Sequence, residues 1–257
     1  MSRSGGNKAN TEEAVRLFSQ AVEKDSHLAR AWAALSAAHN YTTSFGADLH
    51  TAEEKAKAAA ERAIALDPAD ANAHRAMAEV LYALGDFPRA LAEFDEALRL
   101  NPGDAAILAN FGSAAGTLGQ PERGAQAIDR AIRLNPNFGI GAANRFRNAY
   151  FGAARYEDAL RMVERQPADS RTLGGWVQRA ASYVALGRLE EARAAVADAL
   201  ARHPTLTVQG FLSRPDFSDA ERKQFEDLMR RAGFPVCAKP EELARYAKPL
   251  RFPDCVQ

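Results

Sequence analysis

Proline and glycine recur at a fixed interval along this chain. Four prolines and three glycines are spaced by 34 residues or by twice that number: Pro68, Pro102, Pro136 and Pro204, and Gly85, Gly119 and Gly187. A proline ends a helix, and a glycine fits a tight turn where φ is positive. The spacing therefore predicts a repeated unit in which a glycine turn precedes one helix and a proline follows it.

Small residues recur at two places in the predicted helix between the glycine and the proline. The first place holds Ala14, Ala56, Ala90, Gly124, Ala159 and Ala192, and the second holds Ala21, Ala63, Ala97, Ala131 and Ala199. A larger apolar residue lies between them, namely Phe18, Phe94, Ile128, Val163 or Val196. Small side chains let two helices cross closely, and the larger residue fills the space beside the crossing. We interpret these positions as packing residues.

A period of 34 is the length of the tetratricopeptide repeat (TPR), and residues 12–204 resemble a TPR array in these motifs taken together. The resemblance implies an all-α fold, a right-handed superhelix (α-solenoid) of stacked helix–turn–helix units. We expect a half repeat at 12–26, followed by units at 29–70, 71–104, 105–138, 139–172 and 173–206. The solenoid would span residues 12–206 and form one array, because each repeat packs on its neighbours.

Two units depart from the period. In the first, a helix at 28–40 is followed by the link TTSFGADLH, and the partner helix is expected to start after Thr51 as its cap. In the fourth, the turn in AARYEDAL is shifted by one residue, and Pro167 is expected to end the second helix early. Tolerated loop variation and a local widening of the superhelix both explain these departures.

The two ends of the chain lie outside the full units. Residues 1–11 are predicted to be a disordered lead-in, and a helix at 12–24 would expose apolar surface. That surface would be covered by a further segment or used for self-association. Residues 207–257 are predicted to hold a capping helix at 219–232 and a short helix around 240–246. The face of the capping helix would consist of Phe225, Leu228, Met229 and Ala232.

Composition excludes several classes of function. Lys plus Arg and Asp plus Glu number 33 each, whereas a nucleic-acid binder usually has a basic excess. No apolar run approaches about 18 residues, so membrane insertion is not expected. The five histidines are scattered, and no nucleotide-binding, hydrolase or metal motif is present. The sequence therefore predicts a protein that is not an enzyme and has no cofactor.

The sequence also resembles, in phrases such as LARAWAALSAAHNY and LMRRAGFP, the TPR regions of bacterial adenylate cyclase-like and winged-helix regulators. This resemblance implies an alternative role as the regulatory or sensor segment of a larger signalling protein. A cytoplasmic location is expected, and a periplasmic one would follow if the chain belonged to a membrane-anchored regulator. There Cys237 and Cys255 could form a disulfide, whereas in the cytosol they would stay thiols.

The TPR resemblance also implies where a ligand binds. In the family, the first helix of each unit lines an inner groove with a few fixed places. Those places here hold Asn72, Arg75, Glu79, Tyr82, Asn110, Ser113, Asn144, Arg147, Phe151 and Gln178. Amides can bond a peptide backbone, and the aromatic and Arg side chains can make larger contacts. The implied function is the binding of a protein or an extended peptide.

One familiar TPR specificity is not expected here. Chaperone-binding TPR domains hold a C-terminal carboxylate with Lys, Asn and Arg residues at set places. The corresponding places in this chain include Arg75 and Asn110, which are compatible, and Glu79, which would repel a carboxylate. Ile140 and Asn144 occupy the remaining two places. We therefore predict that the C-terminal tails of chaperones are not the ligand.

Overall fold

The computed structural model describes residues 8–42, 48–214, 217, 219–246 and 248–255. Within these residues it is helical and contains no strand. The α-helices are α1 (Lys8–Lys24), α2 (Ala29–Thr42), α3 (Leu49–Leu66), α4 (Ala71–Ala83), α5 (Phe87–Leu100), α6 (Ala105–Ala114), α7 (Pro121–Leu134), α8 (Ile140–Gly152), α9 (Tyr156–Glu164), α10 (Leu173–Ala185), α11 (Leu189–Arg202), α12 (Val208–Leu212), α13 (Asp219–Ala232) and α14 (Pro240–Leu243). Two short 3-10 helices are also present, Ala168–Ser170 between α9 and α10 and Pro253–Cys255 after α14. The all-α fold predicted from the period is confirmed.

The chain divides into two compact units, Met1–Ala142 and Ala143–Gln257. In the first unit, α2 packs on α3, α4 on α5 and α6 on α7, which are the helix pairs that the period predicts. The first helices of successive pairs also touch, α2 with α4 and α4 with α6. In the second unit, α10 packs on α11, and α9 and α13 both pack on α10.

The short phrase around each proline ends one helix and starts the next. Before Pro102, the backbone N–H of Asn101 bonds the Ala97 carbonyl at 2.9 Å and closes α5. After it, the Asp104 carboxylate accepts from the N–H groups of Ala106 and Ile107 and caps α6. Asp70 caps α4 in the same way by accepting from Asn72 N–H. Such caps satisfy backbone donors that a helix start leaves without partners.

The repeated packing residues form the helix–helix contacts. Ala90, Phe94 and Ala97 on α5 are at most 1% exposed, and Ile128, Val163, Ala192 and Ala199 are similarly buried. The α6–α7 crossing is close, because a Cβ on Gly124 would lie 2.4 Å from the Cβ of Ala115. The small residues are therefore required by close approach of the two helices.

Four equivalent turns join the two helices of a repeat, and three of them contain a glycine, namely Gly85, Gly119 or Gly187. Gly85, Gly119 and Gly187 have φ between 71° and 77°, and the N–H of the next residue bonds a carbonyl five positions back. In the fourth repeat the corresponding residue is Ala154, with φ 55° and the same bond from Arg155 N–H to the Tyr150 carbonyl. The one-residue shift predicted for this turn is confirmed.

We expect Ala154→Gly to stabilise the protein. The left-handed region costs a residue with a side chain roughly 1–2 kcal/mol, and glycine avoids this cost. The greater conformational entropy that glycine loses on folding offsets only part of the benefit. The net effect should be a rise of up to about 1 kcal/mol in the free energy of unfolding, measured by urea denaturation. Gly187→Ala is the matched control and should lower stability, since it creates the same strain at an equivalent turn.

Several predicted boundaries need correction. α3 starts at Leu49 and not after Thr51, because Asp48 is the cap and accepts from Thr51 N–H at 2.8 Å. Residues 43–47 of the predicted link lie outside the described residues. At the N-terminus, α1 begins at Lys8, so residues 8–11 of the expected lead-in are helical and residues 1–7 are not described. α9 ends at Glu164, before Pro167, as predicted.

The predicted apolar face of the N-terminal helix is largely covered. Val22 of α1 is buried, and Val15 and Phe18 pack on the cluster that it forms with Ala31 and Leu35. Leu17 remains 48% exposed. The expectation of a broadly exposed apolar surface is therefore wrong for most of this helix, because α2 already covers it. Self-association through this helix stays a prediction.

The C-terminal segment folds onto the last repeat. Phe225, Leu228, Met229 and Ala232 of α13 are buried, as predicted from their spacing on one helical face, and α13 contacts both α10 and α11. Cys237 and Cys255 are joined by a disulfide, with their Cα atoms 5.3 Å apart. Beside it, Arg230 binds the Asp254 carboxylate at 2.6 Å.

Candidate functional site

A pocket of about 370 Å³ in the first unit brings together four predicted groove residues from two repeats, Glu79, Tyr82, Asn110 and Ser113. It is lined by Asn40, Tyr41, Glu79, Tyr82, Ala83, Phe94, Asn110, Ser113 and Ala114. These residues come mainly from α2, α4 and α6, the first helices of three successive repeats. We call this site the α2–α4–α6 pocket.

A chain of hydrogen bonds fixes the polar wall of this pocket. One Glu79 oxygen accepts from the Arg75 guanidinium at 2.6 Å and from the Asn110 amide at 2.5 Å. Arg75 also donates to the side-chain oxygen of Asn72 at 3.2 Å. Because Arg75 and Glu79 neutralise each other, this wall presents amides and carboxylate oxygen without a net charge. Four predicted residues, Asn72, Arg75, Glu79 and Asn110, thus act as one network.

Aromatic rings form the apolar part of the pocket. Tyr41 is 46% exposed, and Tyr82 is half-buried with its hydroxyl donating to Thr117 at 3.0 Å. The Tyr82 ring also lies 5.7 Å from that of Phe87, so its position is fixed at both ends. A ring held in place loses little conformational entropy when a ligand covers it.

Sequence reasoning missed Asn40 and Tyr41. Both lie in the elongated first repeat, residues 29–70, whose extra length departs from the period. Counted from Ala29, Asn40 holds the twelfth place, the same as Tyr82 in the next unit. The sequence therefore contains the same groove place in this repeat, but the extra length of the repeat hides it.

In the second unit, three of the four predicted groove residues are buried. Phe151 is 2% exposed and stacks on Phe225 of α13 at 4.9 Å, so the capping helix already occupies the space beside it. Arg147 and Gln178 are 3% and 6% exposed and bond each other at 2.5 Å. The expectation that these three side chains line an open groove is wrong, because they pack against their own chain. Asn144 is half-buried and accepts from Arg147.

The described residues show no arrangement for metal chemistry, since no group of three or more His, Cys, Asp or Glu side chains could hold an ion there. His74 is bonded to the Glu93 carboxylate at 2.6 Å and to the Pro68 carbonyl, so it links α4 to α5 and to the loop before α4. None of the helices in the described part is long and apolar enough to cross a bilayer.

The fold and the repeat geometry define a protein built from helix–turn–helix repeats. Two tetratricopeptide-repeat family models match, one over residues 71–104 and the other over 105–138, which are two of the units read from the period. The chain therefore contains tetratricopeptide repeats at residues 71–138. These repeats support a role as a protein-interaction scaffold, and such folds are in general non-catalytic.

Several solved structures have the same fold. YrrB, described as a TPR protein with an unusual peptide-binding site, is 21% identical, with a TM-score of 0.54 over 74% of this chain and 94% of that chain. PilF of Pseudomonas aeruginosa is 17% identical, with a TM-score of 0.56 over 86% and 90%. The APC/C hetero-tetramer Cut9–Hcn1 is 16% identical, with a TM-score of 0.59 over 87% and 39%. No curated protein matches the sequence.

Proposed function

We propose that this protein binds an extended peptide segment of a partner protein in the α2–α4–α6 pocket and performs no catalysis of its own. The observation that carries the proposal is the convergence of two tyrosines and two asparagines from three successive repeats on one pocket. YrrB, which shares the fold, is described as having a peptide-binding site.

The chemistry of the pocket indicates the kind of peptide. Asn110 offers an amide oxygen that can bond a peptide backbone, and Tyr41 and Tyr82 offer flat apolar surface. Within the described residues, no hydrogen bond is made to the side-chain oxygen of Asn110, so this acceptor is open to a peptide N–H. Because the Glu79 charge is already matched by Arg75, an uncharged segment fits best.

The same contacts disfavour an acidic chain end. Arg75 already forms an ion pair with Glu79, which offsets its positive charge, and the Glu79 carboxylate would repel a second carboxylate. We therefore propose that acidic C-terminal tails of the chaperone type bind poorly. Measurable binding of such a tail with single-digit micromolar affinity would contradict this.

The test is selection of binders from a random peptide library on the full chain, followed by anisotropy titration of the selected peptide. We expect micromolar affinity, about −8 kcal/mol. Tyr82→Ala should weaken binding by about tenfold or more, since buried tyrosines contribute strongly to interfaces. The matched control is Leu134→Ala, which removes an exposed apolar side chain at the end of α7. The site would be contradicted if both variants weakened peptide binding equally, or if neither variant weakened it.

A further inference from the structure

Arg147 on α8 is a buried cation whose partners are all neutral. It is 3% exposed, and its nitrogens donate to the side-chain oxygens of Gln178, Asn144, Asn148 and, at a longer distance, Thr172. Among the described residues, no carboxylate forms an ion pair with this guanidinium. Burial lowers the pKa of Arg147 to about 10, with no acidic neighbour acting against it.

The start of α10 adds to the positive character of this position. A Cβ placed on Gly175 would lie 2.7 Å from one Arg147 nitrogen, and one placed on Gly174 would lie 3.7 Å from another. The first turn of a helix carries N–H groups without intrahelical partners and the positive end of the helix dipole. A buried guanidinium and a helix N-terminus thus meet without a matching negative charge.

The side chain of Asn148 bridges Arg147 and Gln178. Its side-chain oxygen accepts from the Arg147 guanidinium at 3.0 Å and from the Gln178 amide at 3.2 Å. Unlike Arg147 and Gln178, Asn148 is an exposed residue. Rotation of its side chain into solvent would leave two N–H donors converging on one point at the surface.

We propose that this point is a binding site for an oxyanion, a carboxylate or phosphate group, one oxygen of which replaces the side-chain oxygen of Asn148 between Arg147 and Gln178. The anion supplies the charge that the site lacks, and a bond from Arg147 to an anionic oxygen adds ion-pair attraction that its bond to the neutral Asn148 oxygen does not have. The site lies in the second unit and does not depend on the peptide pocket of the first.

The test compares thermal unfolding midpoints of the full chain in sodium phosphate, sodium acetate and sodium chloride at equal ionic strength. An anion that binds the folded state raises the midpoint in a saturable way. We expect such a rise with phosphate, acetate or both, and the more effective anion identifies the source of the oxyanion. No saturable rise over chloride with either anion would overturn the proposal.

Two variants localise the effect of the anion on the unfolding midpoint. Arg147→Gln should weaken the apparent oxyanion affinity by about tenfold or more. The control Arg145→Gln, an exposed arginine on the same helix, should leave the response unchanged. Equal losses in both variants would indicate diffuse charge and overturn the site.

Asn148→Asp decides the question even if Arg147→Gln does not fold. It places a carboxylate on the proposed oxyanion position with the same size and shape, so we expect a higher midpoint than that of the parent protein in chloride. The response to phosphate and acetate should be lost at the same time. An unchanged or lower midpoint, or a retained response, would overturn the proposal.

Discussion

Replacing Phe94 with alanine is expected to lower the free energy of unfolding by about 3–5 kcal/mol. Phe94 is 1% exposed and lies edge-on to Phe111 at 5.9 Å, so it joins two successive repeats. Truncation would remove its apolar contacts and leave a cavity between α5 and α6. Urea unfolding followed by circular dichroism measures the loss.

The matched control for this prediction lies on the same helix. Phe87 at the start of α5 is 38% exposed, and Phe87→Ala should cost less than about 1 kcal/mol. A similar cost for the two variants would mean that the recurring large residue does not hold the repeats together. Phe94 also borders the α2–α4–α6 pocket, so peptide binding should be compared only under conditions where both variants are folded.

Gly124→Ala should also destabilise the protein, although alanine is the better helix former. The new Cβ would lie 2.4 Å from the Cβ of Ala115 and 3.1 Å from the Gly112 carbonyl oxygen, and neither atom can rotate away. Overpacking of this kind costs about 1–3 kcal/mol, against a gain of up to about 1 kcal/mol in helix propensity. We expect a net loss of roughly 1–2 kcal/mol in urea unfolding.

Gly141→Ala separates packing from helix propensity. Gly141 is also helical, but nothing lies within 4 Å of the Cβ that alanine would add there. This variant should therefore be neutral or slightly more stable, by up to about 1 kcal/mol. If Gly124→Ala stabilised the protein as much as Gly141→Ala, that result would contradict the close packing of α6 on α7.

The sequence predicts the repeats well, because the period acts through local rules that recur unchanged. The turn glycines need positive φ, the prolines end helices, and residues such as Ala90 and Ala97 are small because two helices touch there. Ala154 shows how far the rule extends, since the chain keeps the same turn even where the glycine is absent. These signals depend on neighbouring residues within one repeat, so they can be read from a single sequence.

The candidate site is predicted less completely, because exposure depends on contacts that the period does not describe. Phe151 holds a groove place in the sequence, but α13 from the aperiodic tail covers it. Arg147 and Gln178 bond each other across two repeats and become buried. In the first unit, no such segment covers Glu79, Tyr82 and Asn110 in the described residues, and there the predicted places do line a pocket.

Two-dimensional NMR titration of the labelled full chain with the selected peptide tests the central proposal most directly. We expect the largest chemical-shift changes on residues of the α2–α4–α6 pocket, including Tyr41, Tyr82 and Asn110. Residues on the outward side of the second helices, such as Arg99 and Arg133, should change little. Largest changes on that outward side, with the pocket unaffected, would contradict the assignment of this pocket as the peptide-binding site.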